Sequence, residues 1–474
     1  MTRHALLAQA LELATDYLVS LPVRPVGVTT PVGELRHRVE RPLSDEGVDP
    51  ARVIRELALD VEPGLVASAG PHYYGFVIGG SLPVALAADW LTSAWDQNAC
   101  LYAQSPAAAV VEDVVAAWLL DLLGLPPGAS VGLVTGCQMA NFTGLAAARH
   151  AVLEHFGWDV EQEGLIGAPD LRVIVGAQAH FTILSALRML GIGVRRIEEV
   201  PADAQGRMQP DALASLLRSA TRPTIVCAQA GNVNTGACDP IGEIVERAHA
   251  AGAWVHVDGA FGLWAAASPK LSRHVHGLAT ADSWATDAHK WLNVPFDSGI
   301  AIVRDPQAHR AALTARAAYL VQASGAERDG LDWTPEASRR ARAFPLYAAL
   351  RTLGRRGVAR LVERSCELAR LLAECLAAEP GVRVLNDVVL NQVLLGFDAP
   401  AGGDADALTR ATIARIQREG HCWLGGTRFE GREAARVSVS NWSTSEGDIR
   451  RAATAITDAY HAEIDARGPG PGVA

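Results

Sequence analysis

Of the 42 lysines and arginines in this 474-residue chain, lysine supplies two, Lys270 and Lys290. Arginine fills ion-pair and surface positions as well as lysine does, but it neither gives up its proton nor forms an imine, and lysine does both. Lys270 lies in Ser268-Pro269-Lys270-Leu271, where exchange at a solvated loop position is the simpler account. Lys290 has chemical company. It follows Asp287 and His289 in Asp287-Ala288-His289-Lys290-Trp291, and 32 positions earlier Asp258 closes the apolar run Trp254 to Val257. A carboxylate there is costly to bury unless it meets a cation. His180 follows a second apolar run, in Ala179-His180-Phe181-Thr182, and Thr135-Gly136-Cys137-Gln138-Met139-Ala140-Asn141 turns from a third run into a helix. The first amides of a helix lack internal partners, so that turn is a ready seat for a phosphate.

Singly, each feature has a plainer account: a helix cap for His180, an ordinary turn for Gly136, an ion pair for Asp258. A metal at Asp258 finds no neighbouring His/Asp/Glu set with ligand-like spacing. In their order along the chain they fit one cofactor, pyridoxal 5′-phosphate. The amides of Gly136, Cys137 and Gln138 take the phosphate, His180 lies on the ring, Asp258 keeps the pyridine nitrogen protonated, and Lys290 joins the aldehyde as an imine.

The elements that must hold these residues alternate. Val131 to Val134, Leu171 to Val175, Val194 to Ile197, Thr224 to Ala228, Trp254 to Val257, Ser283 to Ala285 and Gly299 to Val303 read as strands, most of them separated by helical stretches. This predicts an α/β fold with a mostly parallel, covered, seven-stranded sheet, and ligands bind at the carboxyl ends of such strands. Residues 1–65 read as a helical segment, 66–340 as the cofactor-binding domain, and 341–474 as a smaller C-terminal α+β domain. Gly325 to Ser338, polar and punctuated by Gly330 and Pro335, reads as a long mobile loop. The tail from Arg467 reads as frayed.

Composition removes other classes. At 49% apolar and 20% charged the chain can bury a large core, and its net charge of −10 argues against a nucleic-acid footprint. Seven scattered cysteines without a CxxC pair indicate a reducing, cytoplasmic setting and no structural zinc, and no charge-free apolar run is long enough to span a membrane.

The run from Pro71 to Asp305 resembles the group II pyridoxal-phosphate decarboxylases, the fold-type-I family acting on aromatic amino acids, glutamate and diaminobutyrate. The resemblance is carried by His72-Tyr73-Tyr74-Gly75-Phe76, Ser105-Pro106, Thr135 to Asn141, Ala179-His180, Ala230 to Gly236 with Asp239-Pro240, His256 to Ala260, and Asp287 to Trp291 with Asp297-Ser298. Arg436-Val437-Ser438 followed by Asn441-Trp442 looks like the family's small domain. The resemblance implies a carboxy-lyase that removes the α-carboxylate of an amino acid to give an amine. Cys137, Gln138 and His289 would contact the phosphate, His180 would stack on the ring and face the substrate, Asp258 would pair with the ring nitrogen beside Ala260, and Lys290 would carry the cofactor. Gly136, Asn232 and Asp287 complete the implied cofactor set. It implies a homodimer with shared active sites, Leu101 and Tyr102 reaching in from the partner. Tyr73, Tyr74 and Phe76 would line the substrate side, which suggests an aromatic or otherwise apolar L-amino acid. Arg436 and Arg428 are open between orienting a carboxylate and structural pairing, and His72 between shaping the pocket and capping a turn.

Three departures stand out. Cys137 and Gln138 replace small residues in the phosphate turn, and Gly231-Asn232-Val233 replaces a Gly-Thr-Thr turn. The family's mobile loop carries a tyrosine that helps protonate the substrate carbon, and aligning Trp333 with the loop tryptophan puts Gly330 at that position, Tyr319 and Tyr347 lying outside. A missing acid would favour decarboxylation coupled to oxidative deamination, giving an aldehyde. An aminotransferase lacks a placeable pair of carboxylate-binding arginines, and a non-catalytic cofactor-binding scaffold has no need of Asp258, His180 and Lys290 together.

Overall fold

The computed structural model describes residues 2–28, 30–218, 222–315, 327–400 and 403–467. Seven strands form the larger sheet: β1 (Ser130–Val134), β2 (Arg172–Gly176), β3 (Ile197–Val200), β4 (Thr224–Gln229), β5 (Trp254–Asp258), β6 (Ser283–Asp287) and β7 (Gly299–Val303). Their order is β1-β7-β6-β5-β4-β2-β3. β7 is antiparallel to β1 and β6, and every other pairing is parallel. β1, β4, β6 and β7 are buried along their whole length, as strands covered on both faces are.

The reversal of β7 positions the chemistry. It makes β1 point the same way as β6, so the carboxyl ends of β1, β2, β4, β5 and β6 share one edge. Register then lines up Gln229, Asp258 and Ala285 in one row, and Asp287, Gly299 and Val134 in another. The helix Cys137–Glu154, which leaves β1 at that edge, packs on β5, β6 and β7. Its residues Ala140, Gly144, Ala147 and Ala148 are small and buried, which lets the backbone approach the sheet. A Cβ at Gly144 would fall 2.8 Å from His256 Cε1, so glycine is required for the β5 imidazole to fit.

Two compact units divide the chain. One comprises Gly79–Ala369 and Asn386–Val393 and holds the seven-stranded sheet. The other comprises Met1–Ile78, Arg370–Leu385 and Leu394–Ala474. A second, four-stranded sheet is built from β8 (Val382–Val384), β9 (Gln392–Phe397), β10 (Gly425–Phe429) and β11 (Arg432–Ser438), in the order β10-β11-β9-β8. The helices Arg3–Ser20, Val32–Val39 and Pro50–Val61 bury Ala51 alone and expose Leu7, Leu11, Leu57 and Leu59. No helix among the described residues is long and apolar enough to cross a membrane.

Three sequence expectations change. Val194–Arg196 is a 3-10 turn and the strand begins at Ile197. β10 was not expected, because Gly425-Gly426-Thr427-Arg428-Phe429 has neither a β-branched run nor alternation; pairing with β11 holds it. The third bears on function. Gly325, Ala326 and Tyr319 lie outside the described residues, as does the tail from 468, and residues 327–338, expected as a polar solvated loop, are in large part packed against the core. Gly330–Asp332 is a buried 3-10 turn, Arg339 donates to both carboxylate oxygens of the buried Glu112 at 2.7 Å, and Arg328 sits over the Trp333 ring. A Cβ at Gly330 would lie 2.3 Å from the Ala99 carbonyl. A side chain at position 330 would have to displace Arg339 or the Ala99 backbone.

Candidate active site

Asp287, the last residue of β6, gathers three of the expected groups. Its Oδ2 lies 3.0 Å from Lys290 Nζ, and its Oδ1 accepts the Cys137 N–H at 2.6 Å and lies 3.4 Å from His289 Nε2. The Ser298 N–H donates to His289 Nδ1 at 3.1 Å, which leaves the proton of a neutral imidazole on Nε2, toward Asp287. Burial lowers the His289 pKa against the pull of Asp287, so the neutral form is the one expected near pH 7. For Lys290, burial works against the ammonium, but Asp287, joined by Cys137 and Asp258, outweighs it and leaves the pKa above that of an ordinary lysine.

Asp258 lies one strand over and is buried. Its Oδ1 accepts from Cys137 Sγ at 3.4 Å and from the Ala260 N–H at 3.2 Å, and its Oδ2 accepts from Asn141 Nδ2 at 3.3 Å. Every one of these partners is a donor, and none is a cation. Burial, with Asp258 and Asp287 adding to it, pushes the Cys137 thiol well above its ordinary range, so Cys137 serves as a thiol donor. Cys137 and Asn141 are four residues apart on one helix, which presents both to the same carboxylate.

The turn at Gly136 has the expected form. Gly136 caps the helix, and the first amide to find a helical carbonyl is Ala140, on Gly136 O. Cys137 N–H is taken by Asp287, which leaves Gln138 and Met139 as the amides that helix geometry offers an anion. A Cβ at Gly136 would lie 3.3 Å from His289 Cε1, and one at Gly299 would collide with Gly136 Cα at 2.4 Å.

The remaining expected residues are placed as follows. His180 caps the helix Phe181–Met189 after β2, with Nδ1 2.8 Å from Thr182 Oγ1. Asn232 follows β4; its Oδ1 accepts from the Asn234 and Thr235 amides, while its buried Nδ2 has no hydrogen-bond partner. Leu101 packs with Cys100 and Leu331, and the Tyr102 N–H donates to Asp329. In the other unit, Tyr73 stacks on Trp423 at 5.0 Å and Phe76 tilts against it at 5.4 Å. Tyr74 is buried, its backbone bonded to Trp423 and Ser438. His72 binds Asp448, which caps the helix Glu446–Asp465, and Arg428 donates to the carbonyl of Gly431 in its own hairpin. Asn141 and Ser283 were not singled out from the sequence; their signal, a fixed offset from Cys137 and Asp287, is visible only once the helix and β6 are in place. Among the described residues no three His, Cys, Asp or Glu side chains cluster to hold a metal.

The sequence profile of the pyridoxal-dependent decarboxylase conserved domain matches residues 33–397, and the chain belongs to that family. It is 32% identical to the L-2,4-diaminobutyrate decarboxylase of Rhizobium meliloti (strain 1021), over 78% of this chain and 74% of that one. It is 26% identical to the 4-hydroxyphenylacetaldehyde synthase of Rhodiola rosea, over 88% and 87%. The crystal structure of Oryza sativa TDC with PLP and tryptamine superposes with a TM-score of 0.90 at 25% identity, covering 97% of this chain and 98% of that one. The protein is thus a fold-type-I, pyridoxal 5′-phosphate-dependent carboxy-lyase. The donor set fits that cofactor: a buried carboxylate with no cation in ion-pair range among the described residues, a half-buried lysine, and a helix start kept clear by paired glycines.

Proposed function

We propose that the protein decarboxylates an aromatic or otherwise apolar L-amino acid to the corresponding amine, with Lys290, Asp258 and His180 as its catalytic residues. The observation that carries this reading is the cluster of Lys290, Asp287, Cys137 and Asp258 at one sheet edge. Pyridoxal 5′-phosphate, when bound, supplies an aldehyde and an electron-accepting ring that draws off the electrons of the breaking Cα–carboxylate bond. Lys290 provides the attaching amine, and Asp287 at 3.0 Å holds its side chain in place. Asp258, whose described partners are all donors, would accept from the ring nitrogen and so favour its protonated form. Gln138 and the helix start hold phosphate with His289, and Gly136, Asn232 and Ala260 shape the wall. His180, oriented by Thr182, is the proposed proton donor to Cα.

Support for an aromatic substrate comes from the Tyr73–Trp423–Phe76 ring cluster and from the tryptamine in the rice structure. Tyr73 and Phe76 are proposed as the substrate-facing rings, Tyr74 as their buried support, and Leu101 and Tyr102 as groups supplied across a homodimer. The uncovered leucines of the first and third helices fit a dimer of this kind, which light scattering on the holoenzyme would test.

A second reading, decarboxylation with oxidative deamination, is favoured by the aldehyde synthase among the relatives. Glycine at position 330, where the family's loop tyrosine is expected, also supports it. Tyr319 is the tyrosine that remains between Asp287 and Leu346. Incubation with each common amino acid, reading CO2, amine, aldehyde, ammonia and oxygen uptake together, separates the two. Stoichiometric amine from an aromatic amino acid supports the first; aldehyde with oxygen consumption supports the second. Borohydride reduction of the holoenzyme followed by peptide mapping should tag Lys290, and a tag elsewhere overturns both.

A further inference from the structure

A line of hydrogen bonds runs into the core behind Asp258. Trp254 Nε1 lies 2.9 Å from Ser283 Oγ, Ser283 Oγ 2.8 Å from His256 Nδ1, His256 Nε2 2.9 Å from Asn141 Oδ1, and Asn141 Nδ2 3.3 Å from Asp258 Oδ2. The polarity of each link follows from the chemistry of its members. A carboxylate can only accept, so Asn141 turns its amide nitrogen to Asp258 and its oxygen to His256, and His256 must carry its proton on Nε2. Indole can only donate, so Ser283 accepts from Trp254 and has its own hydrogen for His256 Nδ1. Burial, opposed by Asp258, pushes the His256 pKa down to about 4, so the neutral imidazole this pattern requires is the form present near pH 7. The links run in one sense, each donor pointing toward Asp258.

We propose that His256 and Asn141 are positioning residues for Asp258: the relay holds its carboxylate as an acceptor toward the cofactor's ring nitrogen, and thereby keeps the ring proton on that nitrogen. The inference rests on the reading that Asp258 pairs with the ring. Each hydrogen bond that Asp258 accepts from Asn141, Cys137 and the Ala260 amide occupies a lone pair that the shared proton would otherwise take. Removing the Asn141 bond frees a lone pair on Asp258 and lets the proton shift onto the carboxylate. The other described titratable groups that sense Asp258 are Cys137, Cys227 and Lys290. Room for the imidazole comes from Gly144, so the device involves the helix, β5 and β6 together.

The test uses the holoenzyme and two readouts besides turnover: cofactor affinity, and the pH midpoint of the bound cofactor's visible absorbance. A ring nitrogen without its proton leaves the lysine–cofactor link more basic, so the midpoint moves upward. In H256L and N141L the expected result is about tenfold weaker cofactor binding and a midpoint raised by about one pH unit. S283A, a smaller perturbation, should shift both in the same direction by about threefold and half a unit. H256Q, which keeps a donor toward Asn141, should stay within about twofold of the parent. The proposal is overturned if these substitutions leave the midpoint unmoved while D258N moves it, or if H256Q is as impaired as H256L. Should H256L fail to fold, S283A and H256Q decide by the same criteria. If D258N itself leaves affinity and midpoint unchanged, the cofactor reading of Asp258 fails instead.

Discussion

The two lysines of this chain each lie 3.0 Å from a carboxylate oxygen, Lys270 from Glu363 and Lys290 from Asp287. Lys270 also approaches Glu367 at 3.7 Å, and its side chain is 68% exposed. There the ammonium is a point charge among solvated groups, a task arginine performs equally. Lys290 is held by a carboxylate that is itself tied to a helix amide and a histidine, one strand from a second buried carboxylate. What differs is the alternative open to each. The exposed amine can always turn to water, whereas the enclosed one is confined to a geometry in which losing its proton and bonding carbon are both possible.

That contrast can be broken most sharply by Lys290→Arg, which keeps the charge opposite Asp287 and removes the nucleophile. Turnover should fall by on the order of 10^4-fold or more, with loss of the cofactor's visible band, while circular dichroism stays unchanged. Asp258→Asn retains shape and loses the anion; kcat should drop on the order of 10^2- to 10^3-fold, measured as CO2 release under saturating cofactor. Acid probes the interior as a whole. His256 and His309 are depressed to about 4 and about 3 by burial, below the value of about 6.5 they regain on unfolding. The unfolded chain then binds more protons, so stability present above pH 6.5 is lost as pH falls toward 4. Asp239, raised to about 6 by burial, works the other way and offsets part of the loss. A net decrease on the order of a few kcal/mol is expected between pH 7 and 4.5, read as a falling melting temperature, and His309→Gln should flatten it. The smallest effect belongs to Lys270→Arg. Its activity and melting temperature should match the parent, and a loss of turnover there would erase the distinction between the two lysines.

The strands of the larger sheet other than β3 were legible in the sequence because each carries a short apolar run near a functional or turn residue. β5 reads Trp254 to Asp258 and β6 ends at Asp287, so strand and site announce one another. Lys290 was legible for a different reason, the scarcity of its type. β10 was not legible, since its residues owe their extended form to pairing with β11 and not to their own pattern. Nor was the buried turn at Gly330: Glu112 and Arg339 are 227 positions apart, and no local pattern shows that they meet. Polar residues there looked like a solvated loop because charge in a sequence reveals nothing of its partner. The relay behind Asp258 was hidden likewise, as Asn141, His256 and Ser283 belong to three elements.

Three glycines around the cofactor edge, at positions 136, 144 and 299, leave no space for even a methyl group without displacing a backbone or an imidazole. For directed evolution this means that the region closest to the chemistry is sterically frozen. Libraries aimed at new substrates should spare these positions.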